Sequence, residues 1–118
     1  MASEGLDITI VRNRDYLEVL SFQAVPTDAH GDPLDFWDGG WSGAAQARTH
    51  SGAEEVLLEI AVDLTVALEI ELRASHVATA EVDREGFWDL ALTRTSDGWI
   101  ESLVTGGRMF FEEDYTDA

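Results

Sequence analysis

The segment "EEVLLEIAVDLTVALEIELRAS", Glu54 to Ser75, sits in the middle of the chain, and its hydrophobic period decides the fold class. A helical reading has some support. Ser51 precedes Glu54 at capping-box spacing, and Glu55, Glu59 and Asp63 fall at i, i+4 and i+8 along one helical face. The stripe then breaks, because Glu69 and Glu71 are two positions apart, about 200° around a helix of 3.6 residues per turn. Read with period two, Val56, Leu58, Ile60, Val62 and Leu64 share one face against Glu59, Ala61 and Asp63. Leu68, Ile70 and Leu72 then alternate with Glu69, Glu71 and Arg73. The strand reading has fewer faults and predicts two strands, Val56 to Leu64 and Leu68 to Arg73.

The rest of the chain has the same grammar. "LDITIV" (Leu6 to Val11) and "YLEVLSFQAV" (Tyr16 to Val25) flank the turn "RNRD" and are expected to pair as a hairpin. "PTDAHGDPLD" (Pro26 to Asp35) is loop chemistry, and "GWSGAAQARTH" (Gly40 to His50) fits a third strand whose glycines point to a bulge or a close backbone approach. "HVATAEVDREG" is a polar connection with room for a helical turn. "GFWDLALTR" returns through "SDG" to "WIESLV", and "GGRMFFEEDYT" supplies a last strand. Seven or eight short strands with turn signals about every ten residues predict an all-β, antiparallel β-sandwich in one domain spanning 1–118, with 1–5 and 115–118 as flexible tails.

Charge narrows the partners. The chain carries 24 acidic residues against seven arginines and no lysine, for a formal net charge of -17. Such a surface repels phosphate backbones and anionic membranes, so neither nucleic acid nor membrane is an expected partner. Three explanations fit: mimicry of nucleic acid to block a basic protein, docking on a basic neighbour, or adaptation to concentrated salt. The scattered acids resemble those of proteins from salt-loving archaea and their viruses, and a high-GC actinobacterial source fits as well. There is no cysteine, hence no disulfide or thiolate site, and neither a signal peptide nor a membrane span is expected.

Catalytic and metal motifs are weak. "GWSGA" (Gly40 to Ala44) approaches a nucleophile elbow but has Ala44 in place of the second glycine and no strand-to-helix step. Asp28, His30, Asp32, Asp35 and Asp38 crowd one loop without the spacing of a calcium loop, and their favoured reading is turn capping. His30, His50 and His76 stand at no ligand spacing. The expectation is therefore no catalytic residue, no metal and no cofactor. Aromatics are more telling. Adjacent strand residues face opposite sides, so one each of Phe36/Trp37, Phe87/Trp88 and Phe110/Phe111 is expected outside, as contact anchors. The candidate interface residues are Trp37, Trp41, Trp88, Phe110 and Phe111, joined by Arg48 and Arg108 as cations that can meet a neighbour's acids.

The order of these segments resembles the N-terminal domain of phage baseplate upper proteins. "RNRD" stands where that family has an Arg-Gly-Asp-like turn, without its glycine, and "DAHGDPLD" with "FWDGGW" stands at its Asp- and Gly-rich turn, with inserted residues. Gln46 to Arg48, "FWDLALTRTSDGW", "TGGRMFF" and "EEDYT" follow in register. The resemblance implies an immunoglobulin-like sandwich and a non-enzymatic role in the virion of a tailed virus. It would be a tail or baseplate component, or a capsid decoration protein, made in the host cytoplasm. Its partners would be other virion proteins, with further copies of itself in a ring or array. The alternative class is an acidic immunity or inhibitor protein that blocks a basic nuclease or defence protein.

Overall fold

A computed structural model describes residues 6–50 and 53–113. The chain runs β1 (Ile8–Val11), β2 (Tyr16–Ser21), β3 (Trp41–Arg48), β4 (Val56–Asp63), β5 (Glu69–Ala74), α1 (His76–Ala80), β6 (Gly86–Arg94) and β7 (Ile100–Glu112). The fold is all-β, as the period-two alternation predicts. Both central strands form, and Glu54 follows Ser51, which lies outside the described residues, as do Asp114, Tyr115 and Thr116 and both predicted tails. The second central strand starts one residue later than predicted because Leu68 has φ of 64°, a left-handed conformation that no strand continues through.

The seven strands form one series, β1-β7-β6-β3-β4-β5-β2. All pairs are antiparallel except β1 with β7, which run parallel with Ile8 opposite Met109 and Ile10 opposite Phe111. β4 belongs to two partners in turn. Its first half pairs with β3 from Arg48↔Val56 to Ala45↔Ile60, and its second half with β5 through Ala61↔Arg73, Val62↔Leu72 and Asp63↔Glu71. This change of partner folds the series back on itself around one core. Trp88, Leu90 and Leu92 of β6 meet Ile10, Ala45, Ala47, Ile60, Ile70, Leu72 and Met109, all buried. Each fully buried large side chain of this kind contributes roughly 1.5–3 kcal/mol.

The predicted hairpin of the first two strands does not form. β1 and β2 are joined by only residues 12–15, yet they lie at opposite ends of the strand series, which is nearly closed as a result. The turn is held by α1 rather than by pairing between its flanking strands. The Asp15 carboxylate accepts from the His76 amide (2.6 Å), Thr79 Oγ1 donates to the Arg14 carbonyl (2.8 Å), and Arg12 donates to the Ala80 carbonyl (3.0 Å). Ser75 caps that helix by accepting from the Ala78 amide. "WIESLV" and "GGRMFF", read as separate strands, are one long strand β7, with irregular register against β6 near Leu90.

Candidate functional site

Three connections meet at one end of the molecule: 22–40, 64–68 and 95–99. The Phe22 amide donates to the Leu68 carbonyl (2.8 Å), and the Trp37 indole donates to the Glu69 carbonyl (2.7 Å). Thr95 donates through its amide (2.9 Å) and its hydroxyl (3.1 Å) to the Gly40 carbonyl. Three of the four aspartates of the long connection, Asp28, Asp35 and Asp38, turn back onto the nearby backbone. Asp28 accepts from the His30 and Asp32 amides, Asp35 from Trp37 and Asp38 from Gly40. Those donated bonds, that of the Asp32 amide first, hold the Asp28 carboxyl below its ordinary pKa. Turn capping is thus what these residues do, and no group of three metal-ligating side chains gathers among the described residues.

Above the turns lies an aromatic cluster. Phe36 is buried, with Trp37 (5.7 Å) and Trp41 (4.8 Å) packed edge-on against it and Phe22 edge-on against Trp37 (5.4 Å). The Arg94 guanidinium lies 5.6 Å from the centre of the Trp41 ring. Where β4 leaves β3 for β5, Phe36, Trp37, Trp41, Val62, Asp63 and Thr65 line a groove of about 760 Å³. At its floor there is no room for a side chain on Gly43, whose Cβ would stand 2.4 Å from Val62.

A second cleft, of about 400 Å³, opens between the 27–30 turn and the tip of the β6–β7 hairpin, lined by Thr27, Asp28, Ala29, His30, Trp99 and Glu101. Trp99 is 52% exposed and its neighbour Ile100 61%. The Trp99 indole N–H is held by Glu101 (2.7 Å) and its amide by Asp97 (3.0 Å). Arg94 grips Asp97 with two bonds (3.0 and 2.6 Å), and this pairing, with the Trp99 amide second, brings the Asp97 pKa down to about 2.

The structure separates the residues selected from sequence. Trp37 and Trp41 are half-buried at the loop end, packed against the core. Trp88 is fully buried, its indole donating to the Leu6 carbonyl (2.8 Å), and cannot anchor a neighbour; the aromatic that faces out from that pair is Phe87. Arg48 reaches back to the carbonyls of Ala53 and Glu54 and to Gln46, tying down the start of β4. Arg108 stacks on Phe110 (5.1 Å) on the outer side of β7, and Phe110 and Phe111 are both half-buried beside β1. These last three lie toward the far end of β7, on the Trp88 side of the molecule, and do not join Trp37 and Trp41. Trp99 and Ile100 were not among the candidates, although their place directly after the "SDG" turn puts them at a hairpin tip that no other strand covers. Ser42 lies exposed within β3 opposite Thr93, and the strand runs on to Arg48, so no elbow forms. Compared with known proteins, the chain matches no family model, and no curated protein is significantly similar to it.

Proposed function

We propose that this chain is a non-enzymatic structural subunit of a tailed-virus particle, a tail or baseplate component that joins its neighbours through the loop end. The observation that carries the reading is the composition of that end. Exposed Trp99 and Ile100, at the tip of the β6–β7 hairpin, and the half-buried Trp37 and Trp41 all lie at this end, and polar side chains around Trp37 and Trp99 are engaged in holding turns. Large aromatics presented on a rigid frame are the anatomy of a protein contact.

The strand order supports an immunoglobulin-like form of the sandwich. In that fold strands B, E and D are neighbours in one sheet and C, F and G in the other. With β2 to β7 taken as B to G, β2-β5-β4 and β3-β6-β7 have those adjacencies, and β1 lies beside β7. The net charge of -17 favours one reading of another class, an inhibitor of a basic protein.

Density-gradient purification of particles, with the chain quantified by mass spectrometry, tests the proposal. A fixed copy number per particle is expected. A one-to-one complex with a basic nuclease and no particle-bound chain would replace the assembly reading with the inhibitor.

A further inference from the structure

We infer that the cleft beside Trp99 receives an arginine side chain projecting from a basic partner protein. The inference rests on the reading of the loop end as a contact surface and names what that surface recognises.

The cleft has three properties that suit this occupant. Its hydrophobic wall is the half-exposed Trp99 indole, whose orientation is set by Glu101 at the ring nitrogen and Asp97 at the backbone. A planar guanidinium stacks on such a face and a compact ammonium does so less well. Its charged lining is Asp28 and Glu101, with His30 as the remaining titratable group. Arg94 is hydrogen-bonded to Asp97 and lies over the Trp41 ring, and its charge also acts on Asp28 and Glu101, so an arriving guanidinium adds to a site where acids outnumber the resident cation. Finally, the three loops of this end contain Asp28, Asp32, Asp35, Asp38 and Asp97 and neither arginine nor lysine. An incoming cation therefore meets an attractive field over the whole approach, whereas a second copy, also at -17, is repelled.

The probe is a short blocked peptide that alternates leucine and arginine, compared with its citrulline counterpart, which keeps the shape and loses the charge. Binding is followed by calorimetry and by the tryptophan indole N–H resonances. The arginine peptide is expected to bind and to shift the Trp99 indole signal, and the citrulline peptide to bind at least about fivefold more weakly. Trp99→Ser is expected to weaken the arginine peptide by a similar factor, since the indole bonds only to an exposed carboxylate and its loss leaves the core intact. Phe87→Ser, at the opposite end of β6, is the control and leaves binding unchanged.

Equal affinity for the two peptides would overturn the inference. So would Trp99→Ser binding like the parent, or shifts confined to residues outside 27–30 and 97–101. Concentration-dependent self-association that Trp99→Ser abolishes would give the cleft to a second copy instead. Failure of particle association with peptide recognition intact would remove the virion role and leave the cleft standing.

Discussion

The double glycine near the middle of β7 holds two residues with different tasks, and substituting each in turn separates them. Gly106 has φ of 68° and open space where a side chain would go, so alanine there meets only backbone strain, about 1 kcal/mol. Gly107 lies opposite Trp88, and a Cβ on it would stand 2.4 Å from the Leu6 carbonyl and 2.5 Å from the Trp88 indole nitrogen. Those two atoms are bonded to each other at 2.8 Å. Gly107→Ala must therefore push apart a buried donor and its acceptor. Overpacking of this kind costs about 1–3 kcal/mol. An unsatisfied buried indole N–H costs about 1–3 kcal/mol more. The expected loss is thus about 4 kcal/mol, against about 1 kcal/mol for Gly106→Ala. With a urea m-value of about 1.5 kcal/mol/M, the midpoints fall by roughly 2.5 M and under 1 M respectively. Near-ultraviolet circular dichroism of the tryptophan bands should change only for Gly107→Ala. A Gly107→Ala variant no less stable than Gly106→Ala would refute the assignment of Trp88 to that contact.

The Asp97 pKa of about 2, against an ordinary 3.8, means that the unfolded chain binds more protons between those values; Asp97 therefore stabilises the fold above pH 4 and its contribution is lost as pH falls toward 2. Asp97→Asn should flatten that limb of the stability curve in acid titration, and parallel curves for the two proteins would refute the coupling. Thermal melts should rise from low to molar salt, where the Debye length drops to about 3 Å and repulsion among the 24 acids is screened. A flat or falling profile would assign the charge no role in destabilising the compact state. Trp37→Phe keeps the edge-on packing with Phe36 but removes the bond to the Glu69 carbonyl, and should cost about 1–2 kcal/mol in urea unfolding; no change would make that bond incidental.

What could be read from sequence follows from the range of the forces involved. Alternation along Val56 to Asp63 and along Trp88 to Leu92 reports which side of a strand is dry, a local property; both segments are strands, with Trp88, Leu90 and Leu92 buried in the second and Leu58 and Ile60 in the first, where Leu57 on the other face is buried as well and Val56 and Val62 are half-buried. Pairing is not local. Residues 12–15 have the length of a hairpin turn, but Asp15 and Arg14 bond to α1, more than 60 positions away, and the strands on either side part. The aromatic pairs obeyed the rule that one member faces out in the case of Phe87 and Trp88, while at Phe110 and Phe111 the neighbouring β1 half-covers both. Trp37 lies in the 22–40 connection and Trp41 opens β3, and both pack edge-on against Phe36, which takes them partly into the core. The resemblance to baseplate domains stands on motif order alone.

The parallel pairing of Ile8–Val11 with Met109–Glu112 sets a timetable for the nascent chain. At synthesis rates of about 5–20 residues per second, β1 waits several seconds at least before its partner exists, since about a hundred residues separate them. During that interval Ile8 and Ile10, which end fully covered, have no sheet to enter. β2 meets β5 much earlier and can dock while β1 trails from it through the 12–15 turn. Closing so long a loop is the kind of step that slows β folding. Arrival of β7 would then act as the completion signal, burying Trp88 and β1 together in one late event.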